Sequence, residues 1–224
     1  MRAVSPLTLI FANLIPLGGV LFYQWDATLV LALFWIENLI IGAFNLIKMF
    51  AVSAVKKQPK GLILSAFFVI HFGLFCSAHG LFLWDLLGLN EIDTSLYFNQ
   101  VWGGPMEIFA QGISVLLAFI DMYSPTILLG ISALALSHCV SFIENFILRA
   151  EMLKVSVSQL MGQPYTQVIA MHVSLIIGAI AIDKFGSTLV LLVTMLAIKL
   201  AIDISLHLRR RKKFLAVEGR NSLP

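Results

Sequence analysis

Four histidines and two glutamates carry the chemistry this sequence offers: His71, His79, His138, His172, Glu37 and Glu144, each set inside a run of apolar residues. Neutral imidazole is a ligand for zinc, copper or iron, and His side chains from several helices, with a carboxylate near by, can build a metal centre inside a bundle. His71, His138 and His172 make the best ligand set, with Glu37 or Glu144 as a further ligand or as general base on a bound water. His79 follows His71 by eight residues, about 80° of rotation and ~12 Å of rise, so both reach one compact metal only if the helix bends. Haem iron between two His is a variant of the same site. None of the local metalloprotease spacings, such as two His four apart around a Glu, occurs here. The same Glu and His side chains also form a proton relay, because His titrates in the physiological range.

These groups stand out because ionisable residues are scarce. The chain has 224 residues, 59% hydrophobic and 12% charged, where a soluble domain carries about 25% charged residues. Apolar runs of about twenty residues, separated by short polar clusters, predict helices that cross a bilayer. The expected fold is all-α, a single-domain polytopic membrane bundle over 1–207, with spans at about 5–23, 28–50, 61–84, 125–148, 164–183 and 187–207. A charge at the centre of such a helix costs roughly 2.5–3.5 kcal/mol on insertion scales. Counting along each span at about 1.5 Å per residue puts Glu37, His71, His138, His172 and Lys199 each near the middle of a different helix.

Blander roles compete for the same residues. A lone His in a span is commonly a hydrogen-bonded packing residue, and four directed inward at once weaken that reading. Lys199 and Asp203, four apart, can meet as an ion pair. Asn38, Asn45 and Asn145 suit interhelical hydrogen bonds, and Gly73 and Gly80, seven apart, would let a neighbouring backbone approach closely. Ser137, Ser141 and Glu144 form one stripe of the fourth span, with His138, Ser141 and Asn145 beside it. Gly130 to Ala133 departs from the Gly-x-Ser-Gly of rhomboid-type proteases at the last glycine and lacks a placed His, so Ser132 has no base.

Charge placement gives the expected orientation. Lys48, Lys56, Lys57 and Lys60 surround the second connection, Arg149 and Lys154 the fourth, and Arg209 to Lys213 follow the last span. Basic residues collect on the cytoplasmic side, so both termini are expected there, with 208–224 a basic cytoplasmic tail held against anionic lipid. Between the third and fourth spans lie Asp85, Glu91, Asp93, Glu107 and Asp121 without a Lys or Arg. Within this region Pro105 opens an amphipathic helix near 105–122, expected on the outer side as an interfacial or re-entrant segment. A complete crossing there would turn the basic tail outward. Tyr97, Phe98 and Trp102, with Tyr23 and Trp25, suit an aromatic belt at the outer interface. The net charge of +3 is thus a topology signal, and no nucleic-acid partner is expected. Cys76 and Cys139 fall inside apolar runs, which argues against an extracellular disulfide framework.

Four stretches carry a resemblance: Glu37 to Met49 (ENLIIGAFNLIKM), Phe67 to Phe82 (FFVIHFGLFCSAHGLF), Ser137 to Ile147 (SHCVSFIENFI) and Met161 to Gly178 (MGQPYTQVIAMHVSLIIG). Together they resemble a family of bacterial multi-pass membrane proteins catalogued as a domain of unknown function. The resemblance implies a single-domain helical protein of the bacterial inner membrane and brings no activity. The first expectation for function is therefore an intramembrane His/Glu site for a transition metal, used in hydrolysis or redox chemistry on a lipophilic small molecule. The alternatives are a proton-linked transporter using the same polar layer, or a non-catalytic assembly or scaffold protein, as a monomer or an oligomer.

Overall fold

A computed structural model describes residues 19–96, 103–201 and 205. Seven helices organise it: α1 (Ala27–Val55), α2 (Lys60–Leu86), α3 (Pro105–Tyr123), α4 (Thr126–Ser141), α5 (Val157–Gly162), α6 (Tyr165–Phe185) and α7 (Thr188–Ala201). No strand occurs among the described residues. Each break has a local cause. Pro59 caps α2 and bars continuation of α1, because proline has no N–H to give to the ladder. Gly104, at φ +68°, precedes Pro105 at the first position of α3, the place where the missing N–H costs nothing. Gly186, at φ +64°, closes α6 in the left-handed conformation that glycine adopts without strain.

The chain divides into two compact units, Thr28–Ile169 and Met1–Ala27 with Ala170–Pro224. In the first, α1 and α2 are antiparallel: Trp35 packs on Gly80, Phe72 on Gly42 and Ser53 on Gly61. α4 runs parallel to α1, with Leu33 against Gly130, Phe44 beside Phe142 and the Lys48 ammonium over the Phe146 ring. α3 runs parallel to α2, with Phe109 on Gly73, Gly112 on Ser77 and Phe119 edge-on to Trp84. Met49, Phe68, Phe72, Phe146, Leu160 and Val168 are buried together as the core. Large apolar side chains elsewhere face outward, among them Ile63, Phe67 and Ile70 on α2 and Leu129 and Leu136 on α4. Such an apolar exterior fits a lipid solvent, where no aqueous penalty attaches to it.

Five helices among the described residues are long and apolar enough to cross a membrane: Ala27–Val55, Lys60–Leu86, Pro105–Tyr123, Thr126–Leu148 and Val157–Lys184. Three of them extend the expected spans at 28–50, 61–84 and 164–183, and Thr126–Leu148 coincides with the expected 125–148 to within a residue. The fifth is the 105–122 segment, which the sequence reading kept out of the count and which qualifies on length and apolar content. The expected last span, 187–207, is represented by the shorter apolar helix Thr188–Ala201. Of the expected first span only 19–23 is described, as helix; 5–18 lies outside the described residues.

The close approaches at glycine also differ from expectation. Gly73 and Gly80 admit aromatic side chains, from α3 and α1 respectively, rather than a single neighbouring backbone. At Gly80 the Trp35 indole reaches in and donates Nε1–H to the Cys76 carbonyl at 2.8 Å. That bond satisfies the indole donor inside the bundle, where it has no water to bind.

A candidate polar site within the bundle

Of the predicted groups, the structure brings Glu37 and His138 together. Glu37 Oε1 on α1 and His138 Nε2 on α4 are 3.9 Å apart, with side chains 19% and 29% exposed. This exceeds a direct hydrogen bond and is within reach of one bridging water. The parallel packing of α1 and α4 produces the pair, and the Phe44 ring, 6.1 Å from the imidazole, closes one side.

His71 and His79 are held separately. The Tyr165 hydroxyl and His71 Nδ1 share a hydrogen bond of 2.6 Å, its direction set by the imidazole tautomer. Phe67 stacks on the His71 ring at 5.1 Å. His79, 6% exposed, donates Nδ1–H to the Phe75 carbonyl one turn earlier at 2.5 Å. The carbonyl can only accept, so this contact fixes the tautomer. His172 is exposed and, like Lys199, belongs to the other unit.

Depth separates His71 from the pair, while His79 stands at the same level and is turned to its own helix. α1 continues to Val55, so Glu37 lies 10 residues after Ala27 and 18 before Val55, on the Ala27 side of the middle. Since Trp35 meets Gly80 and Gly42 meets Phe72, Glu37 is level with Ser77 to Ala78. His79 shares that level, whereas His71 lies about 10 Å further along α2. Among the described residues no three His, Cys, Asp or Glu side chains form a group that could hold a metal.

Glu144 has a different partner. After Ser141 the helix widens into a π-helical stretch, Phe142–Leu148, from which the Glu144 carboxylate accepts from the Arg149 guanidinium. Both are substantially exposed, at 54% and 43%. Asn145 donates to the Ser141 carbonyl and hydroxyl of its own helix at 3.1 and 3.2 Å, and Asn38 donates to its own Phe34 carbonyl at 2.8 Å. Asn45 makes the expected interhelical bond, donating to the Leu160 carbonyl at 3.0 Å. Pro164, lacking an N–H, cannot serve that carbonyl four residues back. The break between α5 and α6 thus exposes an acceptor that a buried amide from α1 covers, as lipid would not.

Tyr165, the partner of His71, was missed by sequence reasoning. Its signal is the Gly162-Gln163-Pro164 interruption directly before it, which marks a broken span with a polar residue at the break. Asp203, the expected partner of Lys199, and the aromatic residues Tyr97, Phe98 and Trp102 lie outside the described residues. Tyr23 and Trp25 are exposed, as an interfacial position requires.

The chain matches the model of one family, described as of unknown function, over residues 2–218. No curated protein and no solved structure matches it.

Proposed function

Because the chain belongs to a family of unknown function, DUF6498, which brings no activity with it, we propose from its own residues that it is a proton-linked membrane transporter centred on Glu37 and His138. The observation that carries this reading is the 3.9 Å approach of the two side chains from different helices within apolar spans. One proton shared by the pair leaves it net neutral, either as carboxylic acid with imidazole or as carboxylate with imidazolium. Gain or loss of a further proton leaves a net charge, which a low-dielectric site resists unless a substrate charge compensates. Proton movement and substrate movement are coupled through that constraint. Partial exposure of both groups keeps them reachable by water or ligand.

Further polar structure lies about 10 Å along the bundle from the pair. The break between α5 and α6, with Asn45 on the Leu160 carbonyl and His71 on Tyr165, resembles the interrupted helices that line transport sites. The basic connections at Lys56 to Lys60 and Arg149 to Lys154 support a reading in which that end of the unit faces the cytoplasm of a bacterial inner membrane.

Infrared difference spectroscopy of the purified protein in lipid between acidic and neutral pH tests the reading. A protonated-carboxyl band present in wild type, absent from Glu37→Gln and displaced in His138→Ala is expected. Identical spectra in all three would overturn it. Stoichiometric metal that disappears with His71→Ala, His138→Ala and His172→Ala would instead establish the metal site, with His79 as a further ligand. Substitutions that lower stability and alter nothing else would identify a scaffold.

A further inference from the structure

α3 lies alongside α2 in the same direction, and three contacts fix the register: Phe109 with Gly73, Gly112 with Ser77 and Phe119 with Trp84. Each pair differs by 35 or 36 positions. Pro105 is therefore level with Val69 to Ile70, near the midpoint of α2, and Tyr123 is level with the chain just beyond Leu86. A helix lying flat in the interface would cross α2 at one point. α3 instead follows it from Gly73 to Trp84, about 16 Å of helix. The other end of α2, a helix of about 40 Å, is at Lys60. α3 begins some nine or ten residues short of that, about 14 Å.

α4 turns back after Ser124 and Pro125, so the ends of α2 and α3 and the start of α4 share one face, the acidic one. Residues 87–104 need to reach back about 25 Å, well within their extended length at about 3.3 Å per residue. Gly103, Gly104 and Pro105 supply the tight entry into the helix.

We propose that α3 is a re-entrant helix that enters and leaves by the acidic face and carries Glu107 to the middle of the bilayer, level with His71. The first turn of a helix favours a negative charge through its free N–H groups and macrodipole. Glu107 stands there, and its carboxylate accepts from Gln111 Nε2 at 3.4 Å. Glu107 thereby joins Glu37 among the costly intramembrane acids, from a segment that the sequence leaves between interfacial and re-entrant. The inference concerns insertion depth and stands independently of whether Glu37 and His138 exchange protons.

Spin-label depth measurements test it. Met106, Ile113, Leu117 and Met122 are exposed, so a label there leaves the core intact. Each is changed to Cys in a Cys139→Ser chain, with buried Cys76 retained and an otherwise unlabelled control, in lipid nanodiscs. Collision with oxygen and with a water-soluble nickel chelate reports depth. A steady rise toward the surface from Met106 to Met122, spanning about 24 Å, is expected. Greatest depth at Ile113 and Leu117 with both ends shallow would show a complete crossing and overturn the proposal. Equal depth at all four would show an interfacial helix and overturn it equally. Three positions suffice for the trend should one variant fail to fold.

Discussion

Asn45 shows how one side chain holds a break in a helix together. Its amide covers the Leu160 carbonyl that Pro164 cannot serve, while Gln163 N–H also reaches that oxygen at 3.1 Å. Asn45→Leu is expected to lower stability by about 1 kcal/mol, within the range of interhelical hydrogen bonds in membranes, measured by thermal unfolding in detergent. The Tyr165–His71 bond calls for a double-mutant cycle. His71→Phe keeps the stack on Phe67 and Tyr165→Phe keeps the ring, so the coupling should isolate the hydrogen bond at roughly 0.6 kcal/mol. Additive losses would show that the two rings pack without that bond mattering. The residue types that could do chemistry were legible in the sequence. Their pairing was not: nothing in the spacing said that His138 would meet Glu37 while His71 met a tyrosine 94 positions away.

At the level of elements, glycine positions set how near helices come. A Cβ at Gly80 would run into the Trp35 indole, and one at Gly73 into the Phe109 ring. Gly80→Ala should cost about 1–3 kcal/mol by overpacking and shift Trp35 fluorescence, while Gly103→Ala, with open space around it, should leave stability nearly unchanged. A turn outside the helices has its own pH response. The Ser95 hydroxyl and backbone N–H hold the Asp93 carboxyl below the usual carboxylate range. A lowered folded pKa gives a contribution that is full above the ordinary value of about 3.9 and is lost as pH falls through the folded value. The Ser95 amide resonance should therefore move only in that acidic window, and Asp93→Asn should abolish the movement. Helix existence was readable from the length of the apolar runs and from Pro59, Pro105 and Pro164. Helix length was not, since α1 runs to Val55 past Lys48, whose ammonium is accommodated over Phe146.

For the whole molecule, the testable quantity is sidedness. Gln58 and Glu91 are exposed at opposite ends of α2. In intact cells an impermeant maleimide should label Glu91→Cys and spare Gln58→Cys, with the reverse in inverted membranes. Labelling of both from one side would break the orientation drawn from the basic connections. Because α3 ends on the face where α2 ends and α4 begins, it leaves the sidedness of later segments unchanged, which keeps the basic connections at one end.

Composition alone determined that this chain is a helical membrane protein, because so few charges cannot clothe a soluble surface, and it named the ionisable groups that need a reason for being there. Tertiary structure decided which of those groups share a level. Depth depends on where each helix begins, on whether its neighbour runs with or against it, and on which ring fills which glycine notch. Those are contacts between residues tens of positions apart, such as Trp35 with Gly80 and Gly73 with Phe109, and no local period encodes them.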